Sequence, residues 1–248
     1  YNDPWKYLWI DPWDGGDGCV TQVDPLDKNI VYYSQQYGDA IRLDRAEDKT
    51  VSIKPILPKS IHDTLKYNYT TPYFISAYQN KTLYHGGNYI FKTTDRGDTW
   101  KVISPNISIS SNQDKMSNAA GALVESPIKK GLLFVGTDKG AFWVSKNDGM
   151  HWEEFSIGLA NYYIRSISAS RFKTSRVYLS MTGINNDDLH HYIYVSEDYG
   201  AHWKSIANGL PDEPFNIIKE DPTNENILYA GGLRGVFVSL NRGLDWSL

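Results

Sequence analysis

One eight-residue pattern occurs four times in this chain and constrains its fold more than any other feature. The pattern is Ser or Thr, any residue, Asp or Asn, any residue, Gly, any two residues, Trp, and it begins at Thr93, Ser145, Ser196 and Ser239. The starts are 52, 51 and 43 residues apart. A period of this length, with one copy in each unit, is the signature of a repeat architecture.

The segments before each copy are short and rich in β-branched and aromatic residues, as at 132–135, 141–144, 192–195 and 235–238. Turns separate them, so each unit reads as a small sheet, and repeated four-stranded sheets at this period are propeller blades. A degenerate fifth copy, without the Gly or the Trp, is placed at Asp44 and the charged stretch 45–49. The similarity of 24–33 to 221–230 supports that placement.

We therefore predict an all-β fold, a β-propeller of four-stranded blades with about five blades in this chain, as part of a larger ring. The chain is read as a single domain, 1–248, or a fragment of one. The predicted blades are 18–56, 72–105, 119–158, 163–210 and 214–248.

Composition supports a folded β-rich chain and excludes some partners. Hydrophobic residues make up 41% of the sequence, and 8 Trp, 18 Tyr and 8 Phe suit strands. The formal charge of −4 provides no basic surface for a phosphate backbone, so we predict no nucleic-acid partner. No apolar run is long enough for a membrane span. The single cysteine, Cys19, cannot form an internal disulfide.

The residue types of the repeated pattern suit a tight turn. The Asx side chain and the hydroxyl can accept backbone N–H bonds, the Gly provides a positive φ, and the Trp is an apolar anchor expected to hold its own hairpin. Catalysis or calcium binding is disfavoured, because four copies spread around a ring cannot converge on one substrate. The predicted structural residues are Asp95, Gly97, Trp100, Asn147, Gly149, Trp152, Asp198, Gly200, Trp203, Asn241, Gly243 and Trp246.

The four copies resemble the Asp-box, or BNR, repeat of sialidases, xyloglucanase-type glycoside hydrolases, the sortilin Vps10 propeller and a plant photosystem assembly factor. The resemblance covers almost the whole chain. The segments 205–211, 221–222 and 228–232 are similar to those of large secreted bacterial proteins described as sortilin-like or BNR-repeat glycosyl hydrolases. This resemblance implies a secreted, periplasmic or cell-surface protein. It also implies that each box lies between the third and fourth strands of a blade, on the rim opposite the ligand-binding face.

Three groups of residues fall on the implied ligand-binding face. The first is the segment 11–18, in which Trp13 accompanies two carboxylates, Asp14 and Asp17. Such a group could bind a sugar or act as an acid–base pair, and these two are the candidate catalytic residues. A polar turn that only starts a strand explains the same residues more simply.

The second group is the insertion 183–192, which makes its loop longer than those of the other units. Asp187, Asp188 and His190 are candidate ligand-binding residues here, because extra loop length often carries binding. Their spacing fits no metal-site signature, and we read the insertion as a solvated loop. We predict no metal and no cofactor.

The third group is the aromatic set near the starts of first strands, which contains Tyr67, Tyr69, Tyr162, Tyr163 and Phe215. Tyr162 and Tyr163 could stack on a sugar or a peptide side chain, although packing between blades explains them equally well. Arg165 and Arg234 are the only arginines assigned to this face. A sialidase of this repeat class would use three arginines, so that activity is disfavoured.

A hydrolase of the xyloglucanase type needs an acid and a carboxylate across a cleft. Nine residues qualify by face, and none is singled out: Asp14, Asp17, Asp39, Asp63, Asp138, Asp187, Asp188, Asp212 and Glu213. The sequence therefore predicts a platform that binds a protein or glycan ligand, with such a hydrolase as the alternative. Its expected partners are that ligand and either the rest of a parent polypeptide or a partner chain that completes the ring.

Overall fold

Five antiparallel sheets follow one another along the chain in the computed structural model, which describes residues 16–110 and 118–248. Sheet 1 contains β1 (Thr21–Asp24), β2 (Asp27–Ser34), β3 (Ala40–Asp44) and β4 (Lys49–Ser52). Sheet 2 contains β5 (Tyr73–Ile75), β6 (Leu83–Gly86), β7 (Ile90–Thr93) and β8 (Lys101–Val102). Sheet 3 contains β9 (Ala120–Glu125), β10 (Leu133–Thr137), β11 (Phe142–Ser145) and β12 (Glu153–Glu154).

Sheet 4 contains β13 (Tyr163–Ala169), β14 (Val177–Gly183), β15 (Asp188–Ser196) and β16 (Lys204–Ser205). Sheet 5 contains β17 (Phe215–Glu220), β18 (Leu228–Gly232) and β19 (Val236–Ser239), and Ser247 adds one antiparallel bridge to Val238. The predicted all-β class of four-stranded units is confirmed, with sheet 5 observed as three strands and a bridge. The exact blade bounds and the single-domain assignment stay predictions.

Each sheet is a meander whose strands pair in chain order. Successive turns therefore alternate between the two ends of the sheet. The turns joining strands 1 to 2 and 3 to 4 lie at one end, which we call the box face because it carries the four repeated patterns. The loops joining strands 2 to 3, together with those leading from one sheet to the next, lie at the other end, which we call the loop face.

The hydrophobic core lies between consecutive sheets. One cluster places Tyr178 and Ile193 of sheet 4 against Phe215, Ile218 and Phe237 of sheet 5. Three similar clusters join sheets 1 to 2, 2 to 3 and 3 to 4. Because each fully buried large apolar side chain contributes about 1.5–3 kcal/mol, these inter-sheet layers are the main source of stability.

Sheet 1 supports the placement of a degenerate fifth copy. The turn between β3 and β4 contains neither the Gly nor the Trp, yet the Arg45 N–H donates to the Asn29 carbonyl across the neighbouring turn, at 2.9 Å. Asp44 Oδ1 accepts the Ala46 N–H at 2.9 Å.

In the part of the chain that the structure describes, no helix has both the length and the hydropathy that a membrane span requires.

Candidate functional site

The repeated box is a hydrogen-bonded turn between the third and fourth strands. In the box of sheet 4, Ser196 Oγ accepts the Gly200 N–H at 2.8 Å and contacts Asp198 Oδ1 at 2.9 Å. The same Asp198 oxygen accepts the His202 N–H at 2.9 Å. The hydroxyl–glycine bond recurs in the other three boxes, at 3.0, 2.8 and 2.8 Å, in the pairs Thr93–Gly97, Ser145–Gly149 and Ser239–Gly243.

The box tryptophans bind the preceding sheet, which corrects the expectation that each would hold only its own hairpin. Their indole Nε1–H donates to the carbonyl of the residue that follows the fourth strand of that sheet. The pairs are Trp100–Ile53 at 2.9 Å, Trp152–Ile103 at 2.6 Å, Trp203–Phe155 at 3.4 Å and Trp246–Ile206 at 2.8 Å. The boxes are therefore fasteners between sheets, each at a different joint, and they form no shared site.

The box glycines are required for the same contact. Gly149 has a φ of +86°, and a Cβ there would lie 2.7 Å from the Ile103 Cβ. Gly97 meets Ile53 at the same 2.7 Å, and Gly243 meets Ile206 at 2.9 Å. Any side chain at these positions would be strained and would push the two sheets apart.

The fourth residue of each box fixes the box face. Its N–H donates to a carbonyl in the turn between strands 1 and 2, as from Asp148 to Gly131 at 2.8 Å and from Tyr199 to Ser175 at 2.8 Å. The two kinds of turn are thus bonded together at one end of each sheet. The loops assigned to ligand binding are consequently at the opposite end.

A cleft of about 510 Å³ lies on the loop face and gathers loops from sheets 2 to 5. Its walls include Tyr69, Asp138, Tyr163, Arg165, Asn185 and Asn216. A smaller cavity of about 250 Å³ runs between first strands, and Arg165 lines both. Of the residues predicted from the sequence, Tyr69, Asp138, Tyr163 and Arg165 are brought together here.

A larger groove, of about 770 Å³, lies on the box face between sheets 4 and 5. Its walls include box residues such as Asp198, Trp203 and Asn241. Smaller grooves recur beside the boxes at other joints, between sheets 1 and 2 and between sheets 2 and 3. The groove is therefore a feature of the repeated packing, and we place the candidate site in the loop-face cleft.

Nine carboxylates were candidates from the sequence, and among the described residues Asp138 is the one of them that lines the cleft. It follows β10, and its Oδ1 accepts the Asn118 N–H at 2.9 Å. Burial raises the pKa of Asp138 above its ordinary value, despite that bond. Sequence reasoning could place Asp138 on the loop face but could not foresee its burial, which depends on the neighbouring loop.

Tyr163 and Arg165 form a stacked pair on β13. The Arg165 guanidinium lies 5.2 Å from the centre of the Tyr163 ring, within cation–π range. Burial raises the pKa of the Tyr163 hydroxyl, so this ring is neutral and remains a hydrogen-bond donor at neutral pH. The pair presents an aromatic surface and a cation to the same cleft.

The predicted insertion 183–192 is mostly strand and not loop, while most of its residues are exposed to solvent, as expected. A 3₁₀ turn (Ile184–Asn186) connects β14 directly to β15, so the extra residues lengthen a hairpin. Asp187 ends that turn at a φ of 57°. The 3₁₀ turn itself lines the cleft.

Asp188 is the centre of a hydrogen-bond network beside the turn of this hairpin. Its Oδ2 accepts the hydroxyls of Tyr162 at 2.6 Å and Tyr192 at 2.8 Å. Its Oδ1 accepts the His190 N–H at 2.9 Å and lies 2.7 Å from the ring Nδ1. The Tyr162 bond, followed by the bonds from His190 and Tyr192, holds the pKa of Asp188 well below its ordinary value. Asp188 is therefore an ionised structural carboxylate.

The carboxylates raise the pKa of His190, first through the bond to Asp188 and then through the charge of Asp212, whose Oδ2 is 3.6 Å from the ring. Within residues 16–110 and 118–248, no group of three or more His, Cys, Asp or Glu side chains is placed to hold a metal ion. The His–Asp cluster thus has the geometry of ion pairing.

The remaining candidates are outside the cleft or outside the described residues. Arg234 pairs through Nε with Glu213 Oε2 at 3.1 Å, and its ligand role stays a prediction. Asp17 is exposed and accepts a bond from the Tyr69 hydroxyl, while its N–H donates to Gln36 Oε1 at 2.9 Å. Trp13 and Asp14 lie outside the described residues.

Solved structures similar to this chain are propellers. A GH74 xyloglucanase from Xanthomonas campestris matches with a TM-score of 0.64 and 14% identity over 92% of this chain and 37% of its own. A GH74 enzyme from Niastella koreensis matches with a TM-score of 0.53 and 18% identity over 94% of this chain and 45% of its own. YCF48 from Cyanidioschyzon merolae matches with a TM-score of 0.57 and 11% identity over 94% of this chain and 69% of its own.

At these identities the likeness shows the fold alone, and this chain spans less than half of each of the two GH74 chains. No curated protein matches the sequence significantly. The family described as Sortilin-Vps10 (sortilin, neurotensin receptor 3) matches residues 88–230. That match covers more than half of the chain, from the turn after β6 to β18, and includes three of the four boxes. The resemblance stated from the boxes is therefore confirmed, and the chain belongs to the Sortilin-Vps10 family.

Proposed function

We propose that this protein is a binding platform that holds a glycan or a protein segment in the loop-face cleft. The observation that carries the proposal is the stacked pair of Tyr163 and Arg165 in a cleft that several loops share. The box face supplies rigidity, because its fasteners set the spacing of the sheets that present those loops. Propellers offer this division between a fixed scaffold and variable loops.

The walls of the cleft favour a polar ligand with one flat or anionic part. The Tyr163 ring offers a stacking surface, and the side-chain amides of Asn185 and Asn216 offer both donors and acceptors. Arg165 supplies a positive charge, and Lys219 lines the adjoining cavity between the first strands.

Glycans are the first ligands to test. Sugars combine hydroxyls, which pair with amides, and C–H faces, which stack on rings. We further propose that the protein works outside the cytoplasm, as a secreted, periplasmic or cell-surface protein. The membership of the Sortilin-Vps10 family supports this, and fractionation of the producing cells would test it.

The experiment is a glycan and peptide panel screened with the wild-type protein and with Tyr163→Ala and Arg165→Ala. We expect each substitution to weaken binding at least about tenfold, which corresponds to about 1.4 kcal/mol. His202→Ala is the matched control, because this exposed side chain lies in a box on the opposite face. Equal binding by the two cleft variants and the wild type would refute the proposal.

A second candidate function is glycoside hydrolysis, and Asp138 is the observation that favours it. A carboxyl group whose pKa is raised by burial is suited to act as a general acid at the mouth of a cleft. We expect Asp138→Asn to abolish any turnover while leaving ligand binding unchanged. Binding without turnover by the wild-type protein would instead leave the platform as the function.

A further inference from the structure

The five turns that join first to second strands on the box face share one hydrogen bond. In each turn the side-chain oxygen of an Asp or Ser accepts the N–H of the residue two positions later. The pairs are Asp24–Leu26 at 2.9 Å, Ser76–Tyr78 at 3.2 Å, Ser126–Ile128 at 3.4 Å, Ser170–Phe172 at 3.1 Å and Asp221–Thr223 at 2.8 Å. The second residue of each pair therefore occupies an equivalent position in every turn.

Four of these equivalent positions hold a large apolar side chain that is exposed to solvent. Leu26 is 81% exposed, Tyr78 is 37% exposed, and Ile128 and Phe172 are each 42% exposed. The shared bond uses only the backbone N–H of this residue, so the turn itself does not require an apolar side chain. Thr223 makes the same bond with a polar side chain. Turn geometry therefore does not account for the four apolar groups.

The turns of consecutive sheets lie side by side. The Asn80 side-chain amide donates to Asp24 Oδ1 at 2.9 Å and joins the turns of sheets 2 and 1. The Tyr78 hydroxyl donates to the Ser126 carbonyl at 3.0 Å and joins the turns of sheets 2 and 3. The strands that lead into the turns of sheets 3 and 4, β9 and β13, also pack against each other. The exposed apolar groups thus follow one another along a single arc, and neighbouring apolar groups of this kind mark an interaction surface.

The turns of sheets 2, 3 and 4 are basic, although the chain as a whole has a formal charge of −4. Segments 76–82, 126–132 and 170–176 contain six Lys or Arg residues and no Asp or Glu, whereas the sheet 5 turn, 221–227, contains two acids and no cation. Within the part of the chain that the structure describes, four of these cations are exposed and form no ion pair: Lys81, Lys129, Lys130 and Arg171. Their charge is therefore available to a partner.

We propose that segments 76–82, 126–132 and 170–176, which we call the tip surface, dock on a lipid bilayer that contains anionic phospholipids. Apolar side chains flanked by cations are the combination that binds such a surface. The apolar groups enter the boundary between the headgroups and the acyl chains, and the cations are attracted to the lipid phosphates. The charge of the tip surface is complementary to that of the bilayer.

The shape of the tip surface favours a bilayer over a protein segment. None of the grooves and cavities described above includes Tyr78, Ile128 or Phe172. These side chains lie on turns at the end of the sheets, where a row of exposed groups suits a flat partner and offers no pocket to an inserted chain. The loop-face cleft is at the opposite end of the sheets, so docking would leave it open, and the proposal does not depend on what the cleft binds.

The test measures co-sedimentation of the 248-residue protein with vesicles of phosphatidylglycerol and phosphatidylcholine in equal parts, and with vesicles of phosphatidylcholine alone. We expect binding to the mixed vesicles to be at least about tenfold tighter, because several cations near an anionic surface each add to the affinity. Ile128→Ser and Lys129→Glu should each weaken that binding at least about fivefold. Both side chains are exposed, so the melting temperature should stay nearly unchanged.

Two substitutions on the loop face are the matched controls. Ile56→Ser and Lys59→Glu make the same chemical changes at exposed positions in the loop between sheets 1 and 2, at the other end of the sheets. They should leave vesicle binding unchanged. Hydrogen exchange of the wild-type protein gives a readout that needs no variant. On mixed vesicles it should slow at 77–81, 128–130 and 171–173 and stay unchanged at 163–165.

Equal binding to the two kinds of vesicle, or an equal loss of binding in the tip-surface and loop-face variants, would overturn the proposal. So would the absence of vesicle binding, which would leave an acidic protein surface as the occupant. A dimer of the wild-type protein that Ile128→Ser dissociates would also overturn it, because the occupant would then be a second copy.

Discussion

Replacing Gly149 with Ala tests the role of the boxes as fasteners between sheets. Gly149 has a φ of +86°, and the new Cβ would lie 2.7 Å from the Cβ of Ile103 in the preceding sheet. The left-handed backbone costs about 1–2 kcal/mol for a residue with a side chain. Forcing an extra methyl into a packed joint adds about 1–3 kcal/mol, so the total loss of unfolding free energy should be about 2–5 kcal/mol.

The chain provides a matched control for the backbone part of this cost. Gly158 has nearly the same φ, +84°, but a Cβ there would meet nothing within 4 Å. Gly158→Ala should therefore lose only the backbone contribution. Since 1 kcal/mol shifts the melting temperature of a protein of this size by about 2–4 °C, thermal and urea unfolding should separate the two variants clearly.

A double variant identifies the contact responsible. Ile103→Ala should partly relieve Gly149→Ala, so that the combined cost is smaller than the sum of the two single costs. Equal destabilisation by Gly149→Ala and Gly158→Ala, with simple additivity in the double variant, would refute the reasoning.

Three further outcomes follow from the geometry. Trp152→Phe should cost about 1 kcal/mol in urea unfolding, because it leaves the Ile103 carbonyl without its indole donor at 2.6 Å. The pKa of Asp188 is lower in the folded than in the unfolded protein, so the ionised carboxylate stabilises the fold above the unfolded pKa. That stabilisation is lost as the pH falls below about 4. Asp188→Asn should therefore make the unfolding free energy depend less on pH in the acid range. The pKa of Asp138 is instead raised by folding, so its ionisation destabilises the protein as the pH rises, and Asp138→Asn should increase the melting temperature at pH 7 but not at about pH 3.

The position of the boxes could be predicted from the sequence because the determinants are local. The hydroxyl, the Asx side chain and the Gly bond within eight residues, so the turn follows from the residue types. The partner of each Trp could not be predicted in the same way. It is a backbone carbonyl 40–49 residues earlier in the chain, in another sheet, and nothing near the Trp specifies it.

The sequence also predicted part of the candidate site and missed part of it. Tyr163 and Arg165 are two residues apart at the start of one strand, so the sequence could place both near the loop face. Their stacking could not be foreseen, because a bulge between Ile164 and Ser166 interrupts the alternation there. The strand that contains Asp188 could not be recognised from the sequence, because an exposed strand of polar residues has the same composition as a loop. Asp138 could not be distinguished from eight other carboxylates, since its burial arises from a loop that is distant in sequence.

Hydrogen exchange with and without a ligand from the glycan and peptide panel tests the central claim most directly. That claim is that recognition takes place on the loop face while the boxes hold the sheets together. We predict that saturating ligand slows exchange at 138–140, 163–165 and 184–186 and leaves the boxes at 145–152 and 196–203 unchanged. Slower exchange at the boxes, with none at the cleft, would contradict the account.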